Sequence, residues 1–201
     1  EGWRIPQPDR VLFMTEQPHE IAADGEVRYE YFTVDPGFTE DRFVRAAEVR
    51  PGNRAVVHHA LVLLQRPGEP PDPVGALLDY APGMGPTVLP AGIALHVPAG
   101  SKLVFQMHYT PNGSPQQDRT CVGLVFADAA EVRKRVRGGG VLNPSLRIPP
   151  GAADCTVTAE EEVAEDVCLL SVSPHMHLRG RAFRFEAVHP DGRREVLLDV
   201  P

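Results

Sequence analysis

The chain has 201 residues, 42% of them hydrophobic, 23% charged and 6% aromatic, enough for one sizeable core or two small ones. Its 20 basic and 27 acidic side chains leave a net charge of −7, and no window approaches the ~20 apolar residues that span a bilayer, which argues against a nucleic-acid partner and against membrane insertion. The 21 prolines and 18 glycines call for many short elements joined by turns.

In chain order, apolar runs with a period close to two predict strands at residues 27–34, 42–50, 54–65, 102–110, 120–127, 131–137, 166–177, 181–189 and 194–200. No amphipathic stretch is long enough to supply the crossover helices of a parallel sheet. The expected fold is therefore all-β, an antiparallel β-sandwich of jelly-roll kind. Proline and glycine break residues 66–74, 81–86 and 143–151 into loops. The last of these, with Ile148-Pro149-Pro150-Gly151, is the expected boundary between a domain at 1–147 and a second at 148–201. The first is long enough for a full sandwich, and the second only for the opening strands of another.

Three cysteines, Cys121, Cys155 and Cys168, form neither a dense disulfide framework nor a CxxC pair. Cys155 and Cys168 can bridge only if the segments carrying them lie side by side, a matter of geometry. The chain opens Glu1-Gly2-Trp3 without a basic and apolar leader, so any secretory signal is expected outside this sequence.

Five of the eight histidines fall in three clusters: His58-His59, His108 within Gln106-Met107-His108-Tyr109, and His175-Met176-His177. In a strand, His175 and His177 leave the same face, within reach of one metal ion, while Met176 points away. His58 and His59 leave opposite faces of a regular strand, so one ion collects both only if the strand twists or bulges there. His108 from a neighbouring strand would then complete a three-imidazole site. An isolated strand histidine is more often a hydrogen-bonded core residue than a ligand. Several imidazoles buried together each lose hydration, which favours shared coordination, and an all-imidazole set suits copper or zinc. Arg133, Arg135 and Arg137 read as a solvated strand face, Glu160-Glu161-Glu162 as an exposed turn, and His96 as a candidate outer-shell group.

Val57-His58-His59-Ala60, Gln106-Met107-His108-Tyr109 and Pro174-His175-Met176-His177-Leu178-Arg179-Gly180, in that order, resemble the copper type II ascorbate-dependent monooxygenases, most closely their bacterial branch. The resemblance runs from about Arg42 to the end of the chain. It implies two β-sandwich domains and two copper ions, with His58, His59 and His108 holding an electron-transfer copper and His175 and His177 holding a second copper where dioxygen and substrate react. Gln106 matches a glutamine that the family places beside the first copper. The implied activity is hydroxylation of an activated C–H bond of a small molecule, using dioxygen and ascorbate or another one-electron donor, outside the cytoplasm. The family's methionine ligand to the second copper is expected beyond Pro201. Ser173 stands where the peptide-hydroxylating member carries a substrate-gripping arginine, which points away from a glycine-extended peptide as substrate. Two other classes fit the same residues: a copper-binding sandwich that hydroxylates nothing, and a structural sandwich whose histidines only pack.

Overall fold

A computed structural model of the chain describes residues 2–71, 76–176 and 178–201. The chain divides into two compact units, Glu1–Gly140 and Val141–Pro201. The first contains β1 (Arg10–Phe13), β2 (His19–Ile21), β3 (Glu30–Val34), β4 (Arg42–Arg50), β5 (Val57–Gln65), β6 (Ala76–Tyr80), β7 (Thr87–Val88), β8 (Ile93–Val97), β9 (Lys102–Tyr109), β10 (Gln116–Asp118), β11 (Cys121–Phe126) and β12 (Lys134–Val136). One sheet runs in the order β1-β11-β4-β8-β12 with β7 also on β4, another in the order β3-β9-β5-β6, and β2 pairs with β10. All pairings are antiparallel except β8 with β12.

Alternation builds the core. Along β9, Leu103, Phe105, Met107 and Tyr109 turn inward, and Val57, Ala60, Val62 and Leu64 do so along β5. They meet Leu12, Val44, Val49, Leu95, Val97, Val122 and Leu124 from the larger sheet in one continuous apolar cluster. Two sheets closed over one such layer make a sandwich. On the other face of the larger sheet a smaller cluster gathers Ile5, Ala46 and Val125 under Trp3. Gly123 permits that approach, because a Cβ there would lie 2.7 Å from Trp3 Cζ3. The strap is also held by charge: buried Glu48 accepts from the Arg4 backbone N–H at 2.8 Å and from Arg4 Nε at 3.4 Å.

Several strands were not legible as such. β1, β2, β7, β8 and β10 have between two and five residues, too few for a period of two to stand out, and β6 follows the proline-rich run expected as a loop at 66–74, of which 72–74 lie outside the described residues. The strand expected at 131–137 is shorter, because Ala129–Glu131 forms a 3-10 turn and pairing begins only at Lys134.

The second unit has one hairpin among its described residues, β13 (Phe183–Val188) with β14 (Arg194–Val200). Its turn closes through His189 N–H to Arg193 O and Gly192 N–H to His189 O, both at 2.8 Å, with Gly192 at φ 84°. The strand expected at 166–177 is not formed over the described residues 166–176. Val167 and Leu169 keep the strand period, but they and Leu170 stay exposed, and a lone segment without a ladder partner has no way to satisfy its backbone as a strand. Cys155 and Cys168 are accordingly free and exposed, and Cys155 Sγ lies 3.6 Å from Arg147 O.

Two outcomes test this packing. Phe105 is fully buried, so Phe105→Ala is expected to lower unfolding free energy by about 3–5 kcal/mol in denaturant titration. Burial pushes the Cys121 thiol up to about 11, so about one in a thousand such thiols is ionised at pH 8. Native protein should then give two fast thiol equivalents with a disulfide reagent, from Cys155 and Cys168, and a third only on unfolding.

Candidate metal centre

The bulge that a shared site requires is present. In the β5–β9 ladder Val57 pairs with Tyr109 and His59 with His108, so one residue more lies on β5 than on β9, and that residue is His58. Val57 and Ala60 on either side face the core, while His58 is exposed and His59 half-buried. Both imidazoles therefore emerge on the outer face of the smaller sheet, where the period of two also sends Gln106 and His108 from β9.

The three rings converge. One potential ligand atom from each of His58, His59 and His108 lies within 4.8 Å of the others. His58 Nδ1 and His59 Nδ1 are 3.0 Å apart, and the ring centroids are separated by 5.3 Å for His58–His59, 5.1 Å for His58–His108 and 4.9 Å for His59–His108. Metal–imidazole bonds of about 2.0–2.1 Å at trigonal or tetrahedral angles set three ligand nitrogens roughly 3.3–3.6 Å apart, so the widest pair closes by up to about 1.5 Å around an ion, a movement within the reach of side-chain rotation at the exposed His58.

The electrostatics suit a cation. His108 Nδ1 is buried and has no hydrogen-bond partner among the described residues, a lone pair or N–H left without its counterpart. Burial, and secondarily the neighbouring His58, hold the His108 pKa below the ordinary histidine value of 6.5. The ring is thus kept in the neutral form that binds metal. The residues present fit a three-imidazole metal site, and a His58-His59-His108 cluster is one that can hold an ion.

Two tyrosines border the cluster and were not singled out by the sequence. Tyr29, just before β3, tilts against His108 at 4.8 Å and His59 at 5.6 Å between centroids. Tyr31 lies opposite Gln106 and its hydroxyl accepts from Gln106 Nε2 at 3.0 Å. The Tyr29-x-Tyr31 spacing, which matches strand period, was the signal available for them.

The other histidines lie elsewhere. His175 is exposed in a segment of the second unit without strand structure, and His177 lies outside the described residues. The side chain of Met176 packs closely where a Cβ on Gly180 would sit, and a turn at Leu178-Arg179 falls between the strands expected at 166–177 and 181–189. His96 belongs to the larger sheet, where its Nε2 lies 2.7 Å from Asp41 Oδ2 and its ring stacks on Phe43 at 5.1 Å. That pairing accounts for His96 within its own sheet, in place of an outer-shell role.

Fold and site define an all-β, sandwich-like protein with a surface cluster of three imidazoles. No protein-family model, no curated protein and no solved structure matches the chain.

The lowered pKa of His108 carries a sign. Below about pH 6.5 the unfolded chain takes up a proton that the folded His108 resists, so this group's contribution is present above pH 6.5 and lost as pH falls through its lower folded value. His108→Gln should flatten that part of the stability profile, measured as metal-free thermal unfolding at a series of pH values.

Proposed function

We propose that this protein is a copper-binding oxidoreductase of the ascorbate-dependent monooxygenase kind, in which His58, His59 and His108 hold an electron-transfer copper. The observation that carries the reading is the bulge at His58, which turns two adjacent histidines to the face that His108 already occupies. Neutral nitrogen ligands suit copper, which stands above zinc in affinity for such a set. Copper, when bound, would supply one-electron chemistry that no side chain here provides. The chain's own residues fix the ligands on two paired strands, and Tyr29 covers one side of the cluster. His175 and His177 belong to the proposal as ligands of a second copper, with dioxygen and a small C–H substrate as reactants and an extracytoplasmic setting.

A second reading, a copper-binding sandwich without hydroxylase activity, is favoured by one observation: the three-imidazole cluster stands on paired strands, whereas His175 is exposed on a segment without strand structure. Anaerobic Cu(I) titration separates the cases. The three-histidine centre is expected to take up about one ion per chain, with His108→Ala weakening binding by more than about 100-fold, beyond the loss typical of a supporting hydrogen bond. A second equivalent sensitive to His175→Ala, together with ascorbate-dependent oxygen uptake, supports the monooxygenase. One equivalent and no uptake supports the binding protein. No histidine-dependent uptake overturns both.

A further inference from the structure

We infer that Asp118 is the positioning residue of the three-histidine centre, a buried latch that fixes which residue of β5 bulges. The inference rests on the metal-site reading above for its functional consequence, but its structural content stands on the hydrogen bonds alone.

Asp118 is 2% exposed, and its carboxylate takes four donors. Oδ1 accepts from the Asn53 backbone N–H at 2.8 Å. Oδ2 accepts from the Tyr109 hydroxyl at 3.1 Å, the Thr120 hydroxyl at 2.7 Å and the Thr120 backbone N–H at 3.3 Å. A buried carboxylate so surrounded is costly to leave partly satisfied, so its partners are held in place together.

Those partners flank the site on both strands. Tyr109 follows His108 directly. Asn53 opens the turn into β5: its carbonyl accepts from Val56 N–H at 3.4 Å and Val57 N–H at 3.1 Å, and its side-chain oxygen accepts from Ala55 N–H at 3.1 Å. Thr110 N–H then donates to Val56 O at 2.8 Å, closing the ladder just before the bulge. The turn also lies hard against the residue after Asp118, since a Cβ on Gly52 would come within 2.6 Å of Arg119 N.

A bulge is one surplus residue: the inward Val57 and Ala60 restrict where it can sit, and a fixed strand end holds it there. Asp118 ties the turn before Val57 to Tyr109 and so holds the Val57–Tyr109 pair. With His59 paired to His108 beyond it, the surplus residue has to be His58. Movement of the bulge by one position would turn one of the two histidines toward the core and break the ligand set.

Copper affinity and cross-strand contacts test the latch in the full chain. Asp118→Ala is expected to weaken Cu(I) binding about 10–100-fold and to alter the nitrogen hyperfine pattern of the Cu(II) form. Asp118→Asn, which keeps Oδ1 for Asn53, should be intermediate, and Tyr109→Phe should show a smaller effect of the same kind. The core variant Val44→Ala, in the other sheet, controls for stability. Unchanged affinity and spectrum in the Asp118 variants overturns the latch, as does an equal affinity loss in Val44→Ala. If Asp118→Ala does not fold, Asp118→Asn and Tyr109→Phe decide on the same criteria. Independently of any metal, nuclear Overhauser contacts between Val57 and Tyr109 should be present in the wild type and lost in the Asp118 variants. Their persistence overturns the latch even in protein that takes up no copper, whereas their loss without copper binding overturns only the metal-site reading.

Discussion

The ladder between β5 and β9 carries one residue too many, and where that residue falls decides what the smaller sheet presents to solvent. In a regular strand, one of two adjacent histidines would enter the core beside Met107 and Ala60, both fully buried. An imidazole placed there would lose its hydration with no partner to replace it. The surplus residue at His58 removes that conflict, because Val57 and Ala60 both keep their inward positions while two histidines share the outer face. The same irregularity that relieves the core assembles the cluster.

The rest of the first unit supports this ladder. β9 lies between β3 and β5, so it is paired on both edges, and its four inward side chains are among the least exposed in the chain. A doubly paired central strand is a rigid base for a ligand, and His108 stands on it. Polar groups are buried where they tie elements together: Asp118 joins the turn before β5 to the end of β9, and Glu48 joins the N-terminal strap to β4. Each buried carboxylate has its donors at hand, as burial of charge demands.

The second unit contrasts with this. Its hairpin β13–β14 turns Phe183, Phe185 and Ala187 to one half-buried face, and Phe183 and Phe185 lie 4.8 Å apart. Arg184 pairs across the hairpin with Asp199 at 2.6 Å, an exposed pair of small energetic weight. Val163, Val167, Leu169 and Leu178 are all well exposed in the irregular stretch before it. Apolar side chains that pack against nothing contribute nothing to order, which is why alternation alone did not make a strand of residues 166–176.

The sequence by itself determined the class of fold and the three histidines of the cluster. Period-two apolar runs at β4, β5, β9, β11, β13 and β14, punctuated by proline and glycine, were legible as strands, since the side-chain period is a property of the backbone. The coincidence of His58-His59 with His108 was legible as residue types with a shared chemistry. The tertiary structure decided the rest. Pairing register determined that His58, and not a neighbour, is the bulged residue, and register depends on contacts with Tyr109 and Asp118 far along the chain. Tyr29 and Tyr31 joined the site only because β3 lies beside β9. His175-Met176 lies, over the described residues, on a segment that joins no ladder. A motif supplies ligands, whereas only a paired neighbour gives them a common face.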